Sequence, residues 1–220
     1  MHFQRPVLWF LPFTLILTSC AGPGSAADAI CGPDSFTPNY VSNVNLKKWA
    51  SLPIRVYFST NTNTGGVNIE NETRQGFDDW ETALGQNLWT EVTSASTANL
   101  VVRVQSSAPQ STLAETTIYF FQGQNIITRS EMVIYTWPSL PTGGYAGTGT
   151  HELGHALGIN GHSDVIADIM YFTGNATDLL TQRDLNTLRT AYCGFGVSSK
   201  TVPMPAGTPL ISQKITCPAP

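Results

Sequence analysis

Residues 151–162 read HELGHALGINGH and contain three of the four histidines in the chain. His151 and His155 are four residues apart, so on an α-helix their imidazoles lie on one face, one turn apart. Both rings can therefore reach one metal ion at about 2.0–2.1 Å. Glu152 lies about 100° further round the helix, where a carboxylate can act as general base on a water held by the ion. The spacing predicts a helix that carries a hydrolytic zinc site.

The end of this helix predicts a third ligand. Gly158 follows His155 by three residues, and glycine is the usual residue where a helix ends in a left-handed turn. The chain can then turn back beneath the ion and bring in His162 from outside the helix. Three protein ligands with one open position are typical of catalytic zinc, whereas structural sites fill all four positions with protein.

The motif resembles that of the metzincin clan of zinc endopeptidases, and of its matrixin-like branch in particular. This family carries HExxHxxGxxH followed by a methionine-containing turn. Four positions match directly: His151, Glu152, His155 and Gly158. The third histidine of the family would fall at Gly161, but here it is His162, so the loop has one inserted residue. Asp164 is the alternative third ligand, since some similar enzymes have an aspartate there.

The segment after the motif resembles the methionine turn of the family. The resemblance implies that Met170 forms a hydrophobic floor under the zinc site and that Tyr171 helps to shape the specificity wall on the primed side. The resemblance to the family covers roughly residues 50–193, and the specific motifs that carry it lie within 151–171. The implied activity is hydrolysis of peptide bonds in extended protein substrates by Glu152-assisted attack of zinc-bound water.

Hydrophobic patterning outside the motif predicts further helices and strands. A helical stripe from Ile69 to Leu84 predicts a helix with Asn68 as its N-cap. A capping-box variant at 181–184 predicts another helix after the methionine turn. Segments rich in β-branched and aromatic residues predict strands at 54–58, 89–92, 99–104, 116–121 and 126–135, with a hairpin-like connection at 122–125.

This order of elements is similar to that of the metzincin fold. The resemblance implies an α+β domain with a twisted, mixed, mostly parallel sheet, two helices, an active-site cleft and a small C-terminal subdomain with one helix. It also implies that strand 126–135 borders the cleft as an edge strand. An extended substrate would pair with that strand through backbone hydrogen bonds.

The first residues are typical of an export signal. A short basic region precedes a largely apolar segment at 7–17, and the following LTSC resembles a bacterial lipobox in which Cys20 is lipidated. Cleavage after Ala27 or Ala29 is the alternative. We therefore expect a protein lipid-anchored at a bacterial cell surface or periplasmic face, or else secreted. The predicted parts are a lipoprotein signal peptide (1–19), a tether (20–45), a metzincin-like catalytic domain (46–195) and a Pro-rich tail (196–220).

Composition limits the partners. Charged residues make up 12% of the chain, against about 25% in typical soluble domains, which suits an exported protein. The formal net charge of −4 does not favour nucleic acid. No apolar run of about 20 residues follows the N-terminus, so membrane contact is expected only through the lipid anchor. A protein or peptide substrate is the expected partner of a monomeric enzyme.

The cysteines allow several roles in an exported protein. Cys193 and Cys217 are the simplest disulfide pair, which would hold the Pro-rich tail and contribute about 3 kcal/mol. The sequence alone allows any of the three pairings among Cys31, Cys193 and Cys217. Alternatively, the segment CGPD at 31–34 resembles, with one residue missing, the matrixin propeptide segment whose thiolate caps the zinc.

Two functions follow from these observations. The first is a zinc metalloendopeptidase with one catalytic zinc ion; Ca²⁺ through oxygen ligands such as Glu115 or Asp164 is compatible but has no further support. The second is a non-catalytic zinc-binding surface lipoprotein for adhesion or peptide capture. The intact Glu152 favours the first, because binding a metal does not require that residue.

Overall fold

A computed structural model describes residues 30, 40–41, 45–59, 62–106, 111–137, 139–173, 179–193 and 206–218. Over these residues the fold is mixed α/β, with a mostly parallel sheet and three α-helices of several turns. The helices are α1 (Ile69–Leu84), α2 (Gly144–Leu157) and α3 (Gln182–Cys193). The strands are β1 (Lys48–Trp49), β2 (Ile54–Phe58), β3 (Asn63–Thr64), β4 (Val67–Asn68), β5 (Trp89–Glu91), β6 (Leu100–Gln105), β7 (Thr112–Phe121), β8 (Ile126–Tyr135) and β9 (Leu210–Pro218).

The main sheet has seven strands in the order β5-β2-β6-β8-β7-β9, and β1 pairs with the start of β8. Neighbours from β5 to β8 run parallel. Parallel strands need a crossover connection, and α1 provides it between β2 and β5. The last two pairs, β8 with β7 and β7 with β9, are antiparallel. One edge of the sheet is therefore built from antiparallel strands.

Helices α1 and α2 pack closely together. A Cβ atom on Gly149 of α2 would lie 2.9 Å from the Cα atom of Thr73, so only glycine permits this approach. Trp80 of α1 is fully buried, and its Nε1 donates to the Thr150 carbonyl oxygen at 2.7 Å. These contacts hold α2, which carries two of the motif histidines, in a fixed position in the core.

Several predicted elements are confirmed. The Asn68 side chain accepts a hydrogen bond from the Asn71 amide at 2.9 Å, as expected of the N-cap of α1. Strand β8 has the predicted bounds, and β7 joins it antiparallel through the turn at 122–125. The capping box of α3 is also present: the Thr181 amide donates to Asp184 Oδ2 at 2.8 Å, and the Asp184 amide donates to Thr181 Oγ1 at 3.3 Å.

The prediction that strand 126–135 is an edge strand is wrong. This strand is β8, which lies inside the sheet between β6 and β7. Its position follows from pairing on both sides, parallel to β6 over Leu100–Gln105 and antiparallel to β7. Local patterning cannot decide which of two apolar, hairpin-linked strands lies inside, because the order depends on distant partners.

The segment that composition assigns to a Pro-rich tail contains strand β9. Residues 210–217 read LISQKITC and lack proline, whereas prolines occur at 203, 205 and 209. Proline-free, β-branched sequence can join a backbone ladder, and β9 pairs with β7 from Thr112↔Pro218 to Phe121↔Leu210. Within the part of the chain described, no helix is long and apolar enough to cross a membrane.

Candidate metal centre

Four side chains from three parts of the fold converge on one point. His151 and His155 come from α2, His162 from the loop after it, and Cys217 from β9. Their ligand atoms all lie within 4.8 Å of one another. His151, His155 and Cys217 are buried, and His162 is partly exposed. The group has the donors to bind a metal ion, and it includes all three predicted histidine ligands.

The histidine rings are oriented by backbone carbonyls. His151 Nδ1 lies 2.7 Å from the Ile169 carbonyl oxygen, and His155 Nδ1 lies 2.7 Å from that of Ile159. A carbonyl oxygen only accepts, so each Nδ1 carries the proton and each Nε2 keeps a lone pair. The Nε2 atom of His155 is 3.0 Å from that of His151 and 3.2 Å from that of His162. Convergent lone pairs at these distances repel unless a cation lies among them.

Burial keeps the three rings in the form that binds metals. It lowers the pKa of His151 to about 3, and the neighbouring His162 adds to the shift. Burial likewise lowers the pKa of His155 and that of His162. The imidazoles are therefore neutral at physiological pH, which is the ligating form.

Cys217 is the fourth member of the group, and it comes from strand β9 instead of from α2 or the loop after it. Its Sγ atom lies 3.0 Å from Nε2 of His151 and 3.6 Å from Nε2 of both His155 and His162. Burial raises the pKa of the Cys217 thiol, and the negative charge of Glu152 raises it further. A thiolate here is unfavourable without a cation, so a metal ion would offset the charge that burial disfavours.

Glu152 is fully buried beside the group. Its Oε2 accepts a hydrogen bond from the Thr116 hydroxyl of β7, while Oε1 has no hydrogen-bond partner among the described residues. Burial raises the pKa of the Glu152 carboxyl to about 7, although the Cys217 thiol and the Thr116 hydroxyl oppose this shift. Buried polar atoms without a partner are rare in folded proteins, and functional sites are one place where they occur.

Gly158 ends α2 as the sequence predicts. Its φ of 128° is a conformation that side chains rarely adopt, and a Cβ atom would lie 1.9 Å from the Lys47 carbonyl oxygen. The Gly158 amide donates to the His155 carbonyl at 3.0 Å, and its carbonyl accepts from the Lys47 amide at 2.9 Å. The chain is thereby turned at the helix end, and the following loop leads back to His162.

The methionine segment lies directly against α2. Met170 is fully buried, and a Cβ atom on Gly154 would lie 2.4 Å from Met170 Sδ. Its neighbour Ile169 supplies the carbonyl that orients His151. Tyr171 is partly exposed, with its ring centroid 4.5 Å from that of Phe172.

Asp184 of α3 holds the methionine segment in place through hydrogen bonds to its backbone. Its buried carboxylate accepts hydrogen bonds from the Ile169 amide at 3.1 Å, the Met170 amide at 3.4 Å and the Tyr40 hydroxyl at 2.8 Å. The sequence identifies Asp184 as part of a helix cap, but it gives no sign of these additional bonds. Thr116 is also missed by the sequence, because one threonine in a strand carries no local signal of its partner.

The carboxylates considered as metal ligands have other partners. The Asp164 side chain is 89% exposed and lies 3.6 Å from Arg183, whereas His162 is the residue grouped with His151 and His155. Glu115, the other calcium candidate, lies 2.9 Å from Lys214 Nζ and accepts from the Tyr135 hydroxyl at 3.2 Å.

The predicted disulfide between Cys193 and Cys217 is wrong. Cys217 is a free thiol, whereas Cys193 is disulfide-bonded. The physical reason is the register of β9, which places Cys217 opposite Ala114 and against the histidines. The lipidation predicted at Cys20 and the zinc cap considered for Cys31 also lie outside the described residues.

No family model matches the chain, and no curated protein sequence matches it. The described residues define a mixed α/β protein in which three histidines and one thiol form a group that could bind a metal ion, with a buried carboxyl beside it.

Proposed function

We propose that the protein is a zinc-dependent endopeptidase of metzincin type and matrixin-like character. One observation carries the proposal: three histidine Nε2 atoms converge beside the buried Glu152 carboxyl, whose Oε1 has no partner among the described residues. A helix that ends at Gly158 and a methionine buried beneath it support the metzincin fold as part of the proposal.

Zinc is the metal that fits the donors. Tetrahedral zinc with Zn–N of about 2.0–2.1 Å and Zn–S of about 2.3 Å places nitrogen ligands about 3.3 Å apart, and nitrogen and sulfur about 3.6 Å apart. Two of the three Nε2 pairs here are 3.0 and 3.2 Å apart, and the Sγ–Nε2 distances are 3.0, 3.6 and 3.6 Å, whereas the remaining Nε2 pair, His151 with His162, is wider but within 4.8 Å. Imidazole and thiolate are also the ligand types that zinc prefers, whereas calcium and magnesium prefer oxygen.

The chain's own residues supply binding and proton transfer. When bound, zinc lowers the pKa of a coordinated water to about 7 and polarises a carbonyl group. His151, His155 and His162 hold the ion, and Thr116 fixes Oε2 of Glu152. Oε1 then accepts a proton from the attacking water as its oxygen bonds to the peptide carbon. Glu152 returns this proton to the departing amine nitrogen when the C–N bond breaks.

An extended peptide is the substrate form that the sheet favours. Strand β9 lies antiparallel on β7, makes backbone hydrogen bonds along it and brings one side chain to the histidines. A substrate chain paired with β7 in the same way would pass beside the same group. We therefore propose extended protein or peptide segments as substrates of a monomeric enzyme.

Replacing the carboxyl tests the mechanism. We expect Glu152→Gln to retain one zinc ion per chain and to lose about 10²–10⁴-fold in cleavage of a quenched peptide library. The comparison is made in the full chain and again with Cys217→Ser, since that thiol lies 3.0 Å from His151 Nε2. Glu91→Gln is the matched control. The Glu91 side chain is about half exposed on the edge strand β5, so this variant should keep full activity. Cleavage that survives in Glu152→Gln, or after chelation of the metal, rules the mechanism out.

A non-catalytic zinc-binding protein is the second candidate. The observation that favours it is Cys217, because a site with four protein ligands is typical of structural zinc. This candidate predicts bound zinc without cleavage in the wild type and also in Cys217→Ser. The peptidase predicts cleavage once the thiol is removed.

We also propose that the protein is exported and anchored by lipid at Cys20. The disulfide at Cys193 supports export, because disulfides persist in oxidising compartments. Labelled fatty acid should be incorporated into the wild type and not into Cys20→Ser. Equal labelling of both would contradict the anchor.

A further inference from the structure

Strand β9 covers the whole of β7. Its residues pair from Thr112↔Pro218 to Phe121↔Leu210, with one irregularity near Thr112. Without β9, the edge of the sheet next to the histidines would be β7, with free backbone donors and acceptors. An extended peptide and β9 therefore compete for the same hydrogen-bonding groups.

Cys217 fills the position that a hydrolytic zinc site needs to keep open. Catalytic zinc typically has three protein ligands and one exchangeable position, and four protein ligands close the site. In this chain the thiol lies opposite all three histidines, at 3.0, 3.6 and 3.6 Å from their Nε2 atoms. It also lies next to Glu152, where the reacting water would have to be.

We propose that β9 is an autoinhibitory strand of this protein. Cys217 serves as the fourth metal ligand, and the strand that carries it blocks the edge on which an extended peptide would pair. The inference rests on the proposed peptidase function, and the described arrangement is the latent form of that site. Latency then requires no separate inhibitor domain, because residues 210–218 provide both the ligand and the blocking strand.

The side chains of β9 divide into a held face and an exposed face. Cys217 and Ile215 are buried, and the Gln213 side chain accepts a hydrogen bond from Asn160 of the loop before His162. Thr216, Lys214 and Ser212 alternate with them and are exposed. Alternate residues of a strand face opposite sides of a sheet, so 213, 215 and 217 form one face directed at the site. The strand is thus attached by one face and one backbone ladder.

Cobalt in place of zinc tests whether Cys217 is a ligand. In the full chain loaded with Co²⁺, a thiolate ligand gives a charge-transfer absorption in the near ultraviolet. We expect this band in the wild type and its loss in Cys217→Ser and Cys217→Ala, with one metal ion still bound per chain. Thr216→Ala is the matched control, since it alters the exposed neighbour, and it keeps the band. Absence of the band in the folded wild type overturns the proposal.

A small metal-binding probe tests closure without relying on catalysis. Acetohydroxamate should bind the cobalt form of Cys217→Ser at least tenfold more tightly than the wild type, as measured by the change in the cobalt spectrum. Thr216→Ala should bind it like the wild type. Equal binding to the wild type and Cys217→Ser would show that the site is open in both and would overturn the proposal.

Peptide cleavage separates this proposal from the function on which it rests. We expect the zinc form of Cys217→Ser to cleave a quenched peptide library at least tenfold faster than the wild type. Another outcome is a thiolate band in the wild type and tight acetohydroxamate binding by Cys217→Ser, but no peptide cleavage by any variant. That outcome would support closure of the site by Cys217 and refute the peptidase. Equal cleavage by the wild type and Cys217→Ser would support the peptidase and refute autoinhibition.

Discussion

The two sides of the candidate metal centre are held in different ways. On the histidine side, Ile169 and Ile159 accept hydrogen bonds from the rings, and the buried Asp184 holds the segment that contains Ile169. On the thiol side, Cys217 is carried by β9, in which every second side chain from 210 to 216 is exposed. Burial and bonding make the histidine side a permanent part of the core. If β9 is the autoinhibitory strand that we propose, the thiol side detaches without disrupting it.

The largest effect is expected at the base of the histidine side. Asp184→Ala leaves the buried amides of Ile169 and Met170 without their acceptor, which should lower the free energy of unfolding by about 4 kcal/mol. Because Ile169 also orients His151, metal affinity should fall about 10–100-fold. Urea denaturation and competitive metal titration measure the two changes.

Asp184→Asn provides the control for this prediction. The amide oxygen can still accept part of the hydrogen bonds, so stability and metal affinity should lie between those of the wild type and Asp184→Ala. If Asp184→Ala unfolds like the wild type and binds metal equally well, the histidine side does not depend on this carboxylate.

The next largest effect concerns packing beneath α2. Met170→Ala removes a fully buried side chain that contacts the helix at Gly154 and should destabilise the fold by about 3 kcal/mol. Met170→Leu keeps most of the volume and should cost less than about 1.5 kcal/mol. Thermal unfolding with and without metal compares them. Equal losses for Ala and Leu would indicate a role of the sulfur atom instead of packing.

The histidine side could largely be predicted from the sequence because its determinants are local. The spacing of His151 and His155 is a property of one helix, and the turn at Gly158 follows within three residues. The N-cap at Asn68 and the bounds of β8 were likewise set by neighbouring residues and patterning. Such features need no knowledge of distant pairing.

The thiol side could not be predicted, since it depends on long-range strand pairing. Cys217 is 66 residues from His151 in the chain, and only the register of β9 on β7 brings them together. Nearness in sequence instead suggested a disulfide with Cys193, which the free thiol of Cys217 excludes. The inside position of β8 was missed for the same reason.

A smaller effect is expected where the thiol side touches the histidine loop. Asn160→Ala removes the hydrogen bond to Gln213 and should weaken the attachment of β9 by about 1 kcal/mol. Backbone amide exchange over residues 210–218 should accelerate about fivefold, while exchange in α2 stays unchanged. Gln213→Ala should produce the same acceleration, and the double variant should add little to it. Acceleration in α2 as well would mean that the two sides open together.

The smallest effect is expected at the ion pair on the exposed face of β9. Lys214 Nζ lies 2.9 Å from Glu115 Oε2, but the lysine side chain is 58% exposed, so solvent and salt screen the attraction. Lys214→Met should therefore cost about 0.5 kcal/mol or less and accelerate exchange over 210–218 less than Asn160→Ala does. Repeating the measurement at about 0.5 M salt should remove the remaining difference from the wild type, because screening already weakens the pair there. If exchange over 210–218 accelerates more in Lys214→Met than in Asn160→Ala, the main attachment of β9 is on its exposed face. That result would contradict attachment through residues 213, 215 and 217, which face the candidate metal centre.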